Sequence, residues 1–296
     1  MISPPLARMG RQTAQESDKQ QSTEKGLTSV AHISAFIICK NEVAALGPCV
    51  ESLGFCREIV IVDSGSTDGT LGLIENYRER GYPIRLFKRE WPGYALQKQF
   101  ALDQCRHDWC LNLDADERVD WALADVLCKI VLDETGHAAW KIRRREWLPG
   151  YGYAHPLVAA KAHIRLARKA HAAYPSESII HESMNIKGSV GKITTGWLLH
   201  FHQASAESDF DKQNRYTTLK AQQRLDRGKK ARSWRMLTTP TAYFLNFYLL
   251  KRYFLCGWAG LAHAMSSAQY AFQTELKHWR ADIAHHQTDT SSNKRS

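Results

Sequence analysis

"EIVIVDSGSTDGTLGLIENYRERG", residues 58–81, holds three kinds of pattern in one short run. Glu58–Asp63 is apolar and β-branched and predicts a buried strand. Ser64–Thr70 supplies turn chemistry, and Leu71–Gly81 predicts a helix. The same alternation extends in both directions. Strands are predicted at 32–39 ("HISAFIIC"), 83–89 ("PIRLFKR") and 109–114 ("WCLNLD"), with helices at 42–54, 94–105 and 119–134. Strands alternating with helices at this spacing imply right-handed βαβ units and a mostly parallel sheet flanked by helices. Ligands of such sheets bind outside the C-terminal ends of the strands. Three polar tips are therefore expected on one rim: Lys40-Asn41-Glu42, Asp63-Ser64-Gly65-Ser66 and Asp114-Ala115-Asp116.

The third tip is the densest. Asp114, Asp116, Glu117 and Asp120 crowd into seven positions behind an apolar strand, and like charges raise the free energy of a fold unless a counter-charge is present. On an extended strand end, residues i and i+2 face one side about 6.6 Å apart. A pair of this kind suits Mg²⁺ or Mn²⁺ shared with a substrate diphosphate. The rival cation loop fails, because Arg118 and Val119 stand where an EF-hand needs Asp or Asn and Gly. An acidic cap on the following helix is the plainer alternative. No GxxxxGK(S/T) or GxGxxG accompanies the strands, which argues against a P-loop or a dinucleotide site. A carboxylate such as Asp63 is suited to accept from a base imide or a ribose hydroxyl.

Beyond Ala138 the pattern loosens. Strands are expected in "AAWKIRRR", "AKAHIRLAR" and "SIIHESMNIKG" (178–188), and helices over 207–228 and from Thr241 to about His278. The chain of 296 residues has a formal net charge of +10, which favours a polyanionic partner: nucleic acid, anionic membrane or phosphorylated substrate. The cations concentrate in the knot Lys141, Arg143, Arg144, Arg145 and between Lys212 and Arg235. The aromatic stretch that follows, with Lys251 and Arg252 inside it, suits either an interfacial helix or a packed helix pair. Seven cysteines without a CxxC pair imply buried free thiols in a reducing, cytoplasmic setting. Residues 1–30 and 281–296 are expected to be disordered tails.

"FIICKNE", "IVDSGSTDGT", "QKQFAL" and "LNLDADE", in that order, resemble the nucleotide-sugar half of family 2 glycosyltransferases with the GT-A (Rossmann-like) fold. "WPGYALQKQFAL", "SIIHESMNIKG", "WLLHFH" and the aromatic C-terminal stretch are most similar to the bacterial lipopolysaccharide-core β-glucosyltransferases. The resemblance covers about 33–280. It implies a GT-A domain over 31–205, with a donor half to about 135 and an acceptor half after it, then a helical extension over 206–280. It places Asn41, Glu42 and Asp63 around uridine, Gln97 and Lys98 near the nucleotide, and Asp114 on the ribose or the metal's water shell. Asp116 would be the main ligand of a divalent cation, Mg²⁺ or Mn²⁺, with His200 close to the metal or diphosphate.

Glu182 in "HES" fits the base that deprotonates an acceptor hydroxyl, and Glu117 is its rival. The expected activity is inverting transfer of a hexose, glucose from a UDP-sugar, to a lipid-linked lipopolysaccharide core acceptor. The expected place is peripheral, on the cytoplasmic face of an anionic inner membrane. The alternatives are a capsule or exopolysaccharide lipid acceptor, and, in another class, a basic nucleic-acid-binding protein. The acidic rim and the lack of an RRM-like or zinc-finger signature oppose the last.

Overall fold

In a computed structural model, residues 30–132, 136–175, 183–201 and 206–292 are described. The expected N-terminal tail lies almost wholly outside them. Contacts divide the chain into two units: residues up to Arg144 with Ala162–Phe201, and Arg145–Lys161 with the C-terminal stretch.

The first unit is built on four parallel strands. β1 (Ala31–Cys39) lies between β2 (Cys56–Asp63) and β4 (Trp109–Asp114), and β3 (Ile84–Lys88) flanks β2. Side chains alternate between faces with a period of two, and both faces are covered. Ile33, Ile37, Ile59, Ile61, Leu111 and Leu113 feed one buried cluster, while Phe36, Val60, Val62 and Cys110 feed the other. Register pairs Cys39 with Asp63 and Ile38 with Asp114. Three strands thus end level, and their polar tips share one rim. The expected mixed α/β architecture is the one observed. Its parallel character weakens past β4, where β7 (Ala162–Arg168) pairs antiparallel with both β4 and β6 (Ala139–Leu148).

Two boundaries move for physical reasons. The helix predicted over 42–54 is only Leu46–Glu51 (α1). Its expected first turn is diverted: the N–H groups of Asn41, Glu42 and Val43 donate to Ser66 Oγ (2.9 Å), Thr70 Oγ1 (2.9 Å) and Asp68 Oδ2 (3.2 Å). The helix predicted from 119 starts at Trp121 and runs to Leu132. A short strand, β5 (Glu117–Val119), precedes it and pairs antiparallel with β8 (Leu198–His200). Helices at Thr70–Glu79 (α2) and Tyr94–Gln104 (α3) match the pattern.

The basic knot does not form one face. Alternation along β6 sends Arg143 over the Trp197 ring, 4.0 Å away, and Arg144 to Glu117 at 3.5 Å. All seven cysteines are buried and free.

The second unit contains helices at Ala206–Asp226 and Arg235–Leu245, a π-turn at Asn246–Leu250, a 3₁₀ turn at Tyr253–Cys256 and a long helix at Gly257–Ser292. That last helix runs through most of the stretch expected to be a tail. Leu148, Ala154, Val158, Tyr253 and Cys256 form the unit's small core. Among the described residues no helix is long and apolar enough to cross a membrane.

Candidate active site

The rim is organised by its first two loops before any ligand is considered. Asn41 adopts a left-handed backbone (φ 58°), and its side-chain carbonyl accepts from Thr67 N–H at 2.8 Å. Asp63 is buried. Its Oδ2 receives the N–H groups of Gly65 (2.9 Å) and Ser66 (3.0 Å), and its Oδ1 accepts from Ser66 Oγ. Three donors from its own turn therefore hold the carboxylate that was expected to contact uridine. Gln97 is fully buried, with Nε2 donating to Ser64 Oγ at 3.0 Å and Oε1 left without a hydrogen bond.

The acidic cluster has a compensating cation, and it is covalent. Arg165, in the middle of β7, is buried and donates to Asn112 Oδ1 (2.7 Å), Asp114 Oδ2 (2.7 Å) and Glu117 Oε1 (2.5 Å). Lys98, also buried, donates to Asp114 Oδ1 at 3.0 Å. Lys98 thus neutralises Asp114, a partner different from the nucleotide that resemblance assigns to it. Burial would raise the Asp114 carboxyl, but Arg165 and then Lys98 overcome it and hold the group well below the usual carboxylate range. For Glu117 burial wins. It pushes the carboxyl up against the opposing pull of Arg165, and the charge of Asp114 adds to the rise.

Glu117 is completely inaccessible, and its oxygens meet Arg165, Arg144 and the Asp114 N–H (3.1 Å). This corrects its standing as the rival base, because a group so enclosed cannot touch an acceptor hydroxyl. The extended geometry expected for Asp114-Ala115-Asp116 is corrected too. Strand β4 stops at Asp114, Ala115-Asp116 form a turn, and β5 starts at Glu117. The turn separates the two aspartates chemically. Asp114 faces the buried cations, while Asp116 Oδ2 lies 3.1 Å from His200 Nε2, both side chains partly exposed.

Among the described residues no three His, Cys, Asp or Glu side chains gather into a ready-made metal site. Asp116 and His200 offer one hard oxygen and one imidazole nitrogen. That set fits a cation shared with substrate phosphates and does not fit one caged by protein alone. Glu182, with His181 and His202, lies outside the described residues.

Arg165 and Asn112 were not singled out from sequence, and Arg144 only as a member of the basic knot. A signal existed for the first: "HIRLA" puts an arginine inside an apolar strand, and a buried charge requires a partner.

A parallel sheet of this order binds ligands outside the C-terminal ends of its strands, where this rim lies, and comparison with known proteins gives the family. The family model "Glycosyl transferase family 2" matches residues 34–168. The lipopolysaccharide core biosynthesis glycosyltransferase LpsC of Rhizobium meliloti (strain 1021) is 45% identical over 245 residues, which are 83% of this chain and 91% of that protein. The chain belongs to glycosyltransferase family 2. An uncharacterized glycosyltransferase of Rickettsia typhi is 29% identical over 255 residues, 83% of this chain and 85% of its own length. Among solved structures, the mannosyltransferase PcManGT of Pyrobaculum calidifontis in complex with GDP-Man and Mn²⁺ matches with a TM-score of 0.47 at 13% identity, over 90% of this chain and 94% of that one. S. aureus TarS 1–349 in complex with UDP matches with a TM-score of 0.46 at 15% identity, over 86% and 91%.

Proposed function

We propose that this enzyme transfers a hexose, glucose, from a UDP-sugar to a lipid-linked lipopolysaccharide core acceptor with inversion at the anomeric carbon. The similarity to LpsC over most of both chains carries the choice of acceptor. The level rim of β1, β2 and β4 supports the placing of the donor. Asn41 and Glu42 line the uridine side, and Asp63 shapes its loop. The unsatisfied Oε1 of Gln97 is one acceptor left over on this rim.

Asp116 and His200 would hold a divalent cation, Mg²⁺ or Mn²⁺, which when bound supplies Lewis-acid stabilisation of the leaving diphosphate. Arg165 and Lys98 offset the charges of Asp114 and Glu117, which lowers the repulsion that an anionic donor meets at this rim. Glu182 takes the proton of the attacking acceptor hydroxyl as the new bond forms on the face opposite the departing UDP. The acceptor's lipid anchor puts the enzyme peripherally on an anionic membrane surface, on its cytoplasmic side.

Screening UDP-, GDP- and ADP-sugars for thermal stabilisation of the purified protein tests the donor assignment. Bound ligand raises the midpoint by mass action, so UDP-glucose with Mn²⁺ is expected to give the largest shift, and a smaller one in chelator. A larger shift with a GDP- or ADP-sugar would reject the uridine reading.

A further inference from the structure

The second unit has a surface that glycosyl transfer alone does not explain. From Arg235 to Leu250 the chain runs through a helix and a π-turn rich in Leu, Phe and Tyr, yet no residue of either element is buried. Leu237 is 76% exposed, Leu250 75% and Trp258 85%, and Trp234, Leu249 and Phe254 are exposed with them. A soluble surface rarely offers so many large apolar groups together unless something covers them.

The corner that carries four of them is fixed. Arg252 turns the chain through a left-handed conformation (φ 65°). Tyr253 and Cys256 then bury themselves against Leu148, Ala154 and Val158. Ala159 N–H donates to Lys251 O at 3.0 Å, and Tyr151 Oη donates to Leu255 O at 3.2 Å. Where the long helix starts, Gly260 lets the Tyr253 carbonyl approach so closely that a Cβ would lie 1.8 Å from it. Leu249, Leu250, Phe254 and Trp258 are therefore held out by structure.

Charge identifies the cover. Between Asp226 and Glu275 the chain has no Asp or Glu, while Arg227, Lys229, Lys230, Arg232, Lys251 and Arg252 fall inside that interval. A second copy would bring the same cation-rich segments against themselves, which like-charge repulsion opposes. A membrane span is unavailable to these helices. Apolar wedge residues between lysines and arginines are the arrangement that interfacial helices use on anionic lipid.

We infer that the Leu249–Trp258 corner is a preformed wedge that docks on an anionic phospholipid surface, with Trp234 and Leu237 as a second apolar contact and the surrounding cations on the headgroups. The inference deepens the proposed function, since it rests on that reading's lipid-linked acceptor for its purpose. The wedge places the enzyme at the surface where such an acceptor resides.

Co-sedimentation of the full chain with phosphatidylglycerol/phosphatidylcholine vesicles, in the absence of any sugar, tests it. Binding is expected to require phosphatidylglycerol and to weaken as salt rises. The double variant Leu250→Asp/Trp258→Asp is expected to lose about tenfold or more in partition, with unchanged melting temperature and UDP affinity. Unaltered partition of that variant would overturn the inference. So would a wild-type dimer that the same variant disperses while vesicles bind neither protein. Failure to bind vesicles beside intact transfer from UDP-glucose removes the wedge and leaves the function. Intact vesicle binding without any transfer does the reverse.

Discussion

Arg165→Met is expected to destabilise the protein by about 3–5 kcal/mol, the cost of breaking a buried charge pair by removing one partner. Methionine fills much the same space, so the loss is chiefly electrostatic. Lys98 stays with Asp114, and the penalty falls mainly on Glu117, which has no exposed surface. The pH dependence gives the sign. Burial already pushes the Glu117 carboxyl up, and Arg165 pulls the other way. Without the guanidinium the folded-state pKa rises further above that of the unfolded chain. The penalty is then fully present where the group ionises in the fold, and is relieved as pH falls through the raised value. Urea melts of wild type and variant should therefore converge from neutrality toward about pH 4, where unfolded carboxylates titrate. Adding Glu117→Gln to the variant should recover part of the loss at neutral pH. A stability gap that stays constant with pH, and ignores Glu117→Gln, would mean that Arg165 matters for packing and not for charge.

Glu182→Gln is expected to lower kcat by about two to four orders of magnitude, the usual contribution of a general base. Glutamine keeps the shape and the hydrogen-bonding reach but cannot take the proton. UDP affinity should hardly change, because the base acts on the acceptor side of the reaction and chiefly in the transition state. Glu117→Gln should show the opposite balance: altered stability, with chemistry affected only through the shape of the rim. Steady-state kinetics with calorimetric UDP binding separate the two. Near-normal turnover of Glu182→Gln would remove it from the base role.

The fold was largely legible because it rests on local pattern. Strands such as 32–39 and 58–63 announce themselves by β-branched runs, and the turn at 64–70 by Gly, Ser and Asp. Their parallel order then follows from the handedness of βαβ units. What sequence could not show is long-range pairing. Asp114 and Glu117 lie three residues apart in one crowded acidic cluster that reads as needing a counter-charge, yet theirs comes from Arg165, 51 and 48 residues away. Lys98, which the resemblance places near the nucleotide, likewise has a partner, Asp114, that its spacing does not announce. The turn at Ala115-Asp116 was hidden for the same reason. It is stabilised by β5 pairing with β8, a contact between segments some 80 residues apart. Basic knots mislead in a related way, since alternation along β6 sends neighbouring arginines in different directions.

The acidic rim is thus divided into a pair compensated by Arg165 and Lys98 and one aspartate beside His200. The most direct test of that division is isothermal titration of UDP into wild type, Asp116→Ala and His200→Ala, each with Mn²⁺ and with chelator. The account predicts that Mn²⁺ strengthens UDP binding to wild type, that Asp116→Ala abolishes this gain without unfolding the protein, and that His200→Ala reduces it. A metal-dependent gain that survives intact in Asp116→Ala would contradict the account and move the cation elsewhere.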